Sequence, residues 1–195
     1  PALLAEGLAA LLALDAATDL EALGKQVQTS FTNYQAQAHR VSLARQQAAP
    51  QLGQAVTTTM QTLGMQGGQL VVDLERRSLP SASGLEDVRF LVAGHAGTTP
   101  KPIAKVASGG ELSRIALALS VVTNETGSAP TVIFDEVDAG IGGAVAQSVG
   151  CLMQSLGQRR QVMAVTHLPQ VAAKGHHHLK VEKTTSTDNV STDIH

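Results

Sequence analysis

Two short apolar runs in the second half of the chain, each followed directly by polar side chains, constrain the fold most. TVIF at residues 131–134 leads into an Asp-Glu pair, and QVMAV at residues 161–165 leads into a Thr-His pair. Between them, residues 143–156 have the pattern of an apolar helix. Short apolar strands that alternate with helices are typical of an α/β layer whose sheet is covered on both faces. We therefore predict an α/β fold with buried strands at these two runs.

The first third of the chain predicts helices. Residues 2–14 are a Leu/Ala run, and Thr18 followed by Glu21 has the spacing of a capping box that begins a second helix. Along that helix, mostly apolar residues recur at steps of four and three, which predicts a coiled-coil seam. The seam residues are Val27, Phe31, Tyr34, Ala38, Val41, Arg45, Ala48 and Leu52. Because Pro50 lies inside this seam, an ordinary amphipathic helix on a globular core is an equal alternative.

The hydrophobic period changes from helical to alternating after residue 63, and the sequence therefore predicts two domains. Residues 1–63 form a helical or coiled-coil arm, and residues 64–195 form the α/β lobe. The lobe has further predicted strands over 69–74, 87–93 and 178–183 and a predicted helix over 111–122. The chain starts without Met and stops within an alternating pattern, so we expect a fragment of a longer protein.

Composition excludes several classes of protein. The chain has 195 residues, 43% of them hydrophobic, which excludes a wholly disordered segment. Aromatic residues make up only 2%, too few for a platform that stacks single-stranded bases. The formal net charge of −2 argues against a strongly basic nucleic-acid grip, and the single cysteine, Cys151, excludes an intrachain disulfide. No run reaches the roughly 20 apolar residues of a membrane span, so we expect a cytoplasmic protein with no membrane partner.

A candidate phosphate-binding turn precedes the helix predicted over 111–122. It consists of Ser108, Gly109, Gly110 and Glu111. The glycines allow backbone N–H groups to approach an anion, and the helix start adds unpaired donors and the positive end of the helix dipole. The same residues also have the S-x-x-E spacing of a capping box, which satisfies a helix start without any ligand. The spacing alone leaves both interpretations open.

Acidic and imidazole side chains follow the two apolar runs. Asp135 and Glu136 come directly after the first run, and His167 comes after Thr166 at the end of the second. Ligands of open α/β folds bind at the carboxyl ends of the strands. A carboxylate there can hold Mg²⁺ through its water shell, and a second can polarise an attacking water, while a neutral imidazole can contact a phosphate. Two solvated acids and an incidental histidine are the alternatives.

The order of these three motifs resembles the ABC-type ATPase heads of the SMC-like family. The resemblance rests on KVASGGELSRIALALSVV at 105–122, TVIFDEVDAGIGG at 131–143 and QVMAVTHLPQVAAKG at 161–175, and it spans most of residues 20–183. It implies the C-terminal lobe of such a head, a P-loop NTPase fold, with an N-terminal coiled-coil arm. It also implies an ATP-hydrolysing protein that acts on DNA, in recombinational repair of double-strand breaks or in chromosome organisation.

The resemblance implies a role for each motif residue. The turn from Ser108 to Glu111 matches the signature motif, which contacts ATP bound on a second head. Asp135 matches the Walker-B carboxylate that holds Mg²⁺, Glu136 matches the catalytic glutamate, and His167 matches the switch histidine. ATP and Mg²⁺ are thereby implied as cofactors, and a second copy of the chain is implied as the partner in an ATP sandwich.

The sequence contains no Walker A loop, G-x-x-x-x-G-K-[ST]. The one Gly-Lys pair, at Gly24 and Lys25, lacks the earlier glycine and is followed by Gln26. In the resembled family this loop belongs to an N-terminal lobe of the same protein, which the resemblance implies as a partner. We therefore expect the chain alone to be inactive. A competing hypothesis from another class is a dimerisation or scaffolding module that never hydrolyses ATP.

Two weaker patterns are interpreted as ordinary surface features rather than as binding sites. The histidine run 176–178 is expected to form a polar strand edge rather than a metal site, since no Cys or carboxylate lies nearby in sequence. Lys25, Arg40 and Arg45 lie in a stretch, 22–72, that has no acidic residue. A solvated helix face is the favoured interpretation of that stretch, with a DNA-facing arm as the alternative.

Overall fold

The computed structural model describes residues 2–17, 19–105, 108–123, 129–186 and 189–195. In chain order its elements are α1 (Ala2–Ala17), α2 (Leu20–Thr62), β1 (Gln69–Ser81), β2 (Gly84–Ala93), β3 (Lys101–Pro102), α3 (Gly109–Val122), β4 (Thr131–Phe134), α4 (Gly143–Gly157), β5 (Gln161–Ala164), α5 (Pro169–Ala172), β6 (Val181–Ser186) and β7 (Asn189–Ile194). Within the described residues, no helix combines the length and the apolar character needed to cross a membrane.

The packing divides the chain into two compact units. One contains residues 1–47 and 74–87, and the other contains residues 48–73 and 88–195. The strands form three separate sheets, with the orders β1-β2-β3, β4-β5 and β6-β7. The domain boundary after residue 63 stays a prediction.

The long helix α2 begins at a different cap from the one that the sequence predicted. Oδ1 of Asp19 accepts a hydrogen bond from the backbone N–H of Ala22 at 3.0 Å, so Asp19 satisfies one of the unpaired donors at the helix start. Thr18, to which the capping box was assigned, lies outside the described residues. The helix then continues through Pro50, with Ala49 and Gly53 buried on either side of it.

Only part of the predicted seam of α2 is buried. Val27 is 67% exposed and Val41 is also exposed. The buried positions are Ala38, which belongs to the seam, and Ser42, Ala49, Gly53, Val56 and Met60, which do not. A Cβ added to Gly53 would come 3.0 Å from the carbonyl oxygen of Leu70, so the helix lies directly against β1 there. Such close approach favours a small side chain at this point of the helix, which the spacing of the seam does not predict.

Polar contacts hold the first unit together. Oη of Tyr34 donates to the carbonyl of Ser81 at 2.9 Å, and Nη2 of Arg45 donates to the carbonyl of Ser83 at 2.9 Å. Both carbonyls lie at the turn between β1 and β2. The hydroxyl of Ser42 donates to the buried carboxylate of Glu86 on β2. This part of α2 is therefore fixed to the hairpin by hydrogen bonds rather than by an apolar seam.

The second unit contains the α/β core. β4 and β5 pair in parallel, from Thr131 opposite Gln161 to Phe134 opposite Ala164, and α4 connects them. The fully buried core side chains include Val56, Met60, Leu63, Met65, Ile115, Leu117, Val137, Val149 and Leu156. This arrangement confirms the predicted α/β fold. Because parallel strands end at the same edge, the polar pairs that follow β4 and β5 lie side by side.

The two parallel strands are covered on only one face by the described residues, which corrects the prediction of burial on both. Phe134 is buried and Val132 and Val162 are half-buried, whereas the alternate residue Ile133 is 65% exposed. Met163 and Val165, on the same side, are also exposed. Side chains alternate between faces along a strand, so the outward face of this small sheet is an exposed apolar surface.

Candidate functional site

The candidate phosphate-binding turn forms the capped start of α3. Ser108 has extended backbone angles, φ −101° and ψ 123°, and its hydroxyl accepts a hydrogen bond from the N–H of Glu111 at 3.4 Å. The capping interpretation of Ser108 is therefore confirmed. Ser108 and Gly109 are exposed, so the cap leaves this turn accessible. Its phosphate contact stays a prediction, because a capped helix start and an anion site use the same backbone donors.

The acidic pair lies at the carboxyl end of β4, as the sequence predicted. Both Asp135 and Glu136 are exposed, and Oδ1 of Asp135 accepts a hydrogen bond from the N–H of Glu136 at 2.9 Å. Glu136 has a φ of 55°, in the left-handed region that residues with a Cβ rarely adopt. A strained backbone of this kind is common at functional sites, where the rest of the structure holds it in place.

The structure brings Glu136 against the start of α3. A Cβ added to Gly109 would overlap Oε2 of Glu136, so a larger residue there would displace this carboxylate. At the next position, a Cβ on Gly110 would come 2.9 Å from the methyl carbon of Ala139. The two glycines of the turn therefore pack directly on residues 135–139, which we call the acidic loop. Steric fit to this loop is a second reason for glycine here, beside access for an anion.

Helix α3 also binds the acidic loop through two side chains. The hydroxyl of Ser113 donates to the carbonyl of Asp135 at 2.6 Å, and Nη1 of Arg114 donates to the carbonyl of Ala139 at 2.9 Å. Arg114 is only 7% exposed, and burial lowers its pKa while the charge of Glu111 raises it in part. Sequence reasoning missed both residues. The available signal was a single charged residue, Arg114, inside the apolar stretch that follows Glu111.

The acidic loop reaches His167 through Asp138. This aspartate is 3% exposed, and its Oδ2 accepts hydrogen bonds from the Thr166 hydroxyl and, at 3.0 Å, from the N–H of His167. Nδ1 of His167 lies 3.3 Å from the same oxygen. Burial acts to raise the pKa of Asp138, but these hydrogen bonds and the nearby imidazole outweigh it and leave the pKa below its ordinary value.

His167 is the predicted site residue that Asp138 orients. Its side chain is exposed while its backbone is fixed, so the ring lies at the surface beside the acidic loop. With Nδ1 beside this carboxylate, Nε2 of the ring is left for another partner. Asp138 was not among the predicted site residues, because an aspartate in a loop gives no sign in the sequence that it is buried.

Glu111 is the predicted site residue that does not face the acidic pair. Its Oε1 lies 3.5 Å from Nε2 of His95, and a Cβ added to Gly94 would come 3.5 Å from its Oε2. The carboxylate therefore contacts the end of β2 and the residues that follow it. The histidine run 176–178 lies in a bend before β6 and is exposed, so it is not the strand edge that the sequence predicted.

Among the described residues, no three His, Cys, Asp or Glu side chains are grouped to hold a metal ion. Asp135 is nevertheless the type of ligand that Mg²⁺ takes, since this ion is usually bound by one or two carboxylates together with water and substrate phosphate oxygens. An exposed carboxylate at the end of a strand fits that kind of site.

The fold matches solved heads of SMC proteins. The chain superposes on the Smc head domain with an extended coiled coil from Pyrococcus furiosus, a structure bound to the C-terminal domain of ScpA, with a TM-score of 0.58. This match is 19% identical and covers 94% of the chain and 44% of the neighbour. The Smc head domain with a coiled coil and joint from Pyrococcus yayanosii gives a TM-score of 0.59 at 20% identity, covering 93% and 33%. The chain therefore has the fold of an SMC-type head lobe with a helical arm.

Sequence comparison is more specific. The chain is 44% identical over 166 residues to the DNA repair protein RecN of Xylella fastidiosa, covering 84% of the chain and 30% of that relative. RecN of Haemophilus influenzae is 44% identical over 182 residues, covering 93% and 33%. No protein-family model matches. The chain belongs to the RecN family of DNA repair proteins, matches the C-terminal part of its members and spans about a third of their length.

Proposed function

We propose that this chain is the C-terminal lobe of an ATP-hydrolysing head that acts in recombinational repair of DNA double-strand breaks. The observation that carries the proposal is a continuous set of contacts among the three predicted motifs. Glu136 lies against Gly109, α3 holds the acidic loop, and Asp138 of that loop holds Thr166 and His167. Residues that serve one reaction need fixed mutual positions, and this set of contacts supplies them.

The acidic pair takes two roles in this proposal. Asp135 would hold Mg²⁺, and the ion would supply positive charge for the phosphate oxygens. Glu136 accepts a proton from the attacking water, which is the usual role of a carboxylate at this position in a strand-end site. His167 presents Nε2 to the γ-phosphate, since Asp138 occupies its other ring nitrogen.

The turn from Ser108 to Glu111 serves the other nucleotide. We propose that a second copy of the protein presents its ATP to this turn, so that two heads enclose two nucleotides between them. The exposed N–H donors and dipole of α3 favour the γ-phosphate at this place. This arrangement makes dimerisation dependent on ATP and explains why Ser108 and Gly109 are exposed.

An N-terminal lobe completes the head in this proposal. The chain has no Walker A loop, and the outward face of β4 and β5 exposes Ile133, Met163 and Val165. Exposed apolar surface of this kind is costly in water and marks an interface. A lobe that carries the Walker A loop and packs on this face would bury these exposed residues and bind the phosphates of ATP. DNA is proposed as a partner on the basis of RecN family membership.

The substitution Glu136→Gln in the full-length protein tests this proposal. It removes the proton acceptor while keeping the shape of the side chain, so we expect ATP hydrolysis to fall by about a hundredfold or more. ATP binding should persist, and nucleotide-bound dimers should accumulate. Hydrolysis and dimerisation are measured together, by phosphate release and by analytical ultracentrifugation with ATP.

The matched control is Glu6→Gln, an exposed glutamate on α1, which should hydrolyse ATP normally. Normal hydrolysis by the Glu136→Gln variant would contradict the assignment of the proton acceptor. A wild-type protein that forms dimers with ATP but never hydrolyses it would instead support the scaffolding hypothesis.

A further inference from the structure

The first unit contains a cavity between α2 and the hairpin of β1 and β2. Its volume is about 310 Å³, at the small end of the range of roughly 300–1,000 Å³ that is usual for ligand sites. Residues of all three elements line it, and none of them belongs to the three predicted ATPase motifs. A cavity of this size admits one large side chain or one small molecule.

Three leucines, one from each element, form an apolar wall of this cavity. Leu74 on β1 and Leu85 on β2 are half-buried, whereas Leu43 on α2 is 61% exposed. Covering such a side chain with another apolar group releases the water around both, which is favourable. Apolar walls with a few polar groups beside them are typical of ligand sites. The wall therefore favours an occupant that has an apolar group of its own.

Arg76, which also lines the cavity, supplies a positive charge for the occupant. The two other arginines of the hairpin are paired, Arg77 with Asp87 and Arg89 with Asp73. Arg76 is exposed and makes no ion pair or side-chain hydrogen bond within the part of the chain that the structure describes. A guanidinium matches a carboxylate with two parallel hydrogen bonds. The charge beside the apolar wall therefore favours a carboxylate on the occupant.

Glu86 lines the same cavity, but its charge is balanced from α2. The residue is 9% exposed, its Oε1 accepts from the Ser42 hydroxyl, and its buried Oε2 lies 3.5 Å from Nη1 of Arg45. No other acidic residue lies near it on α2, because the stretch 22–72 contains only basic charged side chains. The cavity therefore does not repel an anion, and the acid-free stretch gains a role that the proposed function leaves open.

We propose that this cavity binds the C-terminal end of an acidic peptide on a partner protein. The last side chain of the peptide, an apolar one, packs between Leu43, Leu74 and Leu85, and its terminal carboxylate pairs with Arg76. Acidic residues before it face the acid-free stretch of α2, where Arg40 is exposed. This inference goes beyond the proposed function and does not depend on ATP.

Duplex DNA is the other anion that a basic surface attracts, and the lining of the cavity argues against it. Proteins contact the phosphate backbone with several cations spread over a surface. Here a single arginine stands beside an apolar wall, which a phosphate would leave in contact with water. The C-terminal residue of a peptide carries an apolar side chain and a carboxylate on one carbon atom, so it satisfies both parts of the cavity.

The test uses the full-length protein without nucleotide. Peptides displayed with free C-termini and randomised last residues are selected for binding, and we expect enrichment of an apolar last residue preceded by Asp or Glu. Fluorescence anisotropy with a labelled copy of the enriched peptide then gives its Kd. Amidation of the C-terminus removes the carboxylate charge and should weaken binding by about tenfold or more.

Two substitutions, each with a matched control, locate the site. We expect Arg76→Gln to weaken peptide binding by about tenfold or more and Leu43→Gln by about fivefold or more, because they remove the charge and part of the apolar wall. Arg77→Gln and Leu79→Gln change exposed residues of the same types on β1, outside the lining, and should bind within about twofold of wild type. Thermal unfolding checks that every variant is folded.

Three results would overturn the inference. One is a selection that enriches no peptide, or the same peptides on Arg76→Gln as on wild type. Another is a Kd that amidation leaves unchanged. The third is duplex DNA that displaces the peptide and whose own binding depends on Arg76 but not on Leu43, which assigns the cavity to DNA phosphates. Failure of the proposed ATPase function would leave all these measurements unaffected, since none of them uses nucleotide.

Discussion

Ser108 is a residue whose two roles predict opposite effects of one substitution. As a helix cap alone, Ser108→Asp should be nearly neutral or slightly stabilising, because Asp is as good an N-cap and its charge favours the helix start. As a ligand of the partner's γ-phosphate, the same change places a carboxylate against a polyanion. We expect the fold to stay intact while ATP-driven dimerisation and hydrolysis are lost. Thermal unfolding and ATPase assays of the full-length variant are the measurements.

The control for this substitution is Ser108→Ala, which removes the cap without adding charge. It should cost about 1 kcal/mol of stability and reduce hydrolysis less than Asp does. If Ser108→Asp retained normal hydrolysis, Ser108 would be a helix cap and nothing more, and the ATP sandwich would lose its main support.

Asp138 shows how a residue can be important without any sign in the sequence. Its neighbours Val137 and Ala139 are small and apolar. The acidic pair Asp135 and Glu136, just before it, forms the more recognisable motif. Thr166 and His167, which follow β5, lie next to the acidic loop, and Oδ2 of Asp138 accepts two hydrogen bonds there, from the Thr166 hydroxyl and from the His167 N–H. These donors hold the aspartate in its charged form, which is why its pKa is low despite burial.

At the scale of elements, two of the three glycines of α4, Gly150 and Gly157, have opposite surroundings. Gly150 is buried, and an added Cβ would come 2.8 Å from Cγ of Lys174 and 3.2 Å from the carbonyl of Gln170, whereas an added Cβ on Gly157 meets nothing. The contact at Gly150 fixes α4 close to α5, the helix that follows His167. Glycine there is therefore required by packing, since Gly lowers the intrinsic stability of a helix interior.

We predict that Gly150→Val lowers the free energy of unfolding by about 1–3 kcal/mol, because the larger side chain forces α4 and α5 apart. The same substitution at Gly157 should change stability by less than about 0.5 kcal/mol. Urea unfolding of the two variants beside wild type checks both values. Equal effects at the two positions would show that the α4–α5 contact is not tight.

At the scale of the whole molecule, the exposed sheet face and the missing Walker A loop lead to one prediction. The purified 195-residue chain should have negligible ATPase activity, because its residues include no loop that grips the β- and γ-phosphates. Adding the N-terminal lobe as a separate polypeptide should restore hydrolysis and protect Ile133, Met163 and Val165 from solvent. Phosphate release and hydrogen exchange are the measurements.

The control for this experiment replaces the outward residue Ile133 with Asp, which should prevent the two lobes from joining while leaving the inward core untouched. Robust Mg-dependent hydrolysis by the chain alone would refute the requirement for a second lobe. Restored activity with the Ile133→Asp variant would show that the lobes join elsewhere.

The sequence alone determined the elements of the α/β core from α3 to β5 and their order. Apolar runs between turn residues predicted β4, β5 and α4 nearly to the residue, since short strands and an apolar helix have distinct periods. The motif spacing also placed the acidic pair and His167 at strand ends, where the structure has them. The chemical roles of these residues stay predictions, because residue type and position do not establish contact with a nucleotide.

Tertiary structure alone decided which faces are buried and which side chains meet. The packed face of α2 includes Gly53, where β1 comes so close that a Cβ would lie 3.0 Å from the carbonyl oxygen of Leu70, and no hydrophobic pattern reveals this contact. The links through Arg114 and Asp138 join residues 25 and 28 positions apart in the sequence. Such contacts depend on how a helix and a loop pack on a shared core. Local propensity acts over a few residues and carries no information about these distant partners.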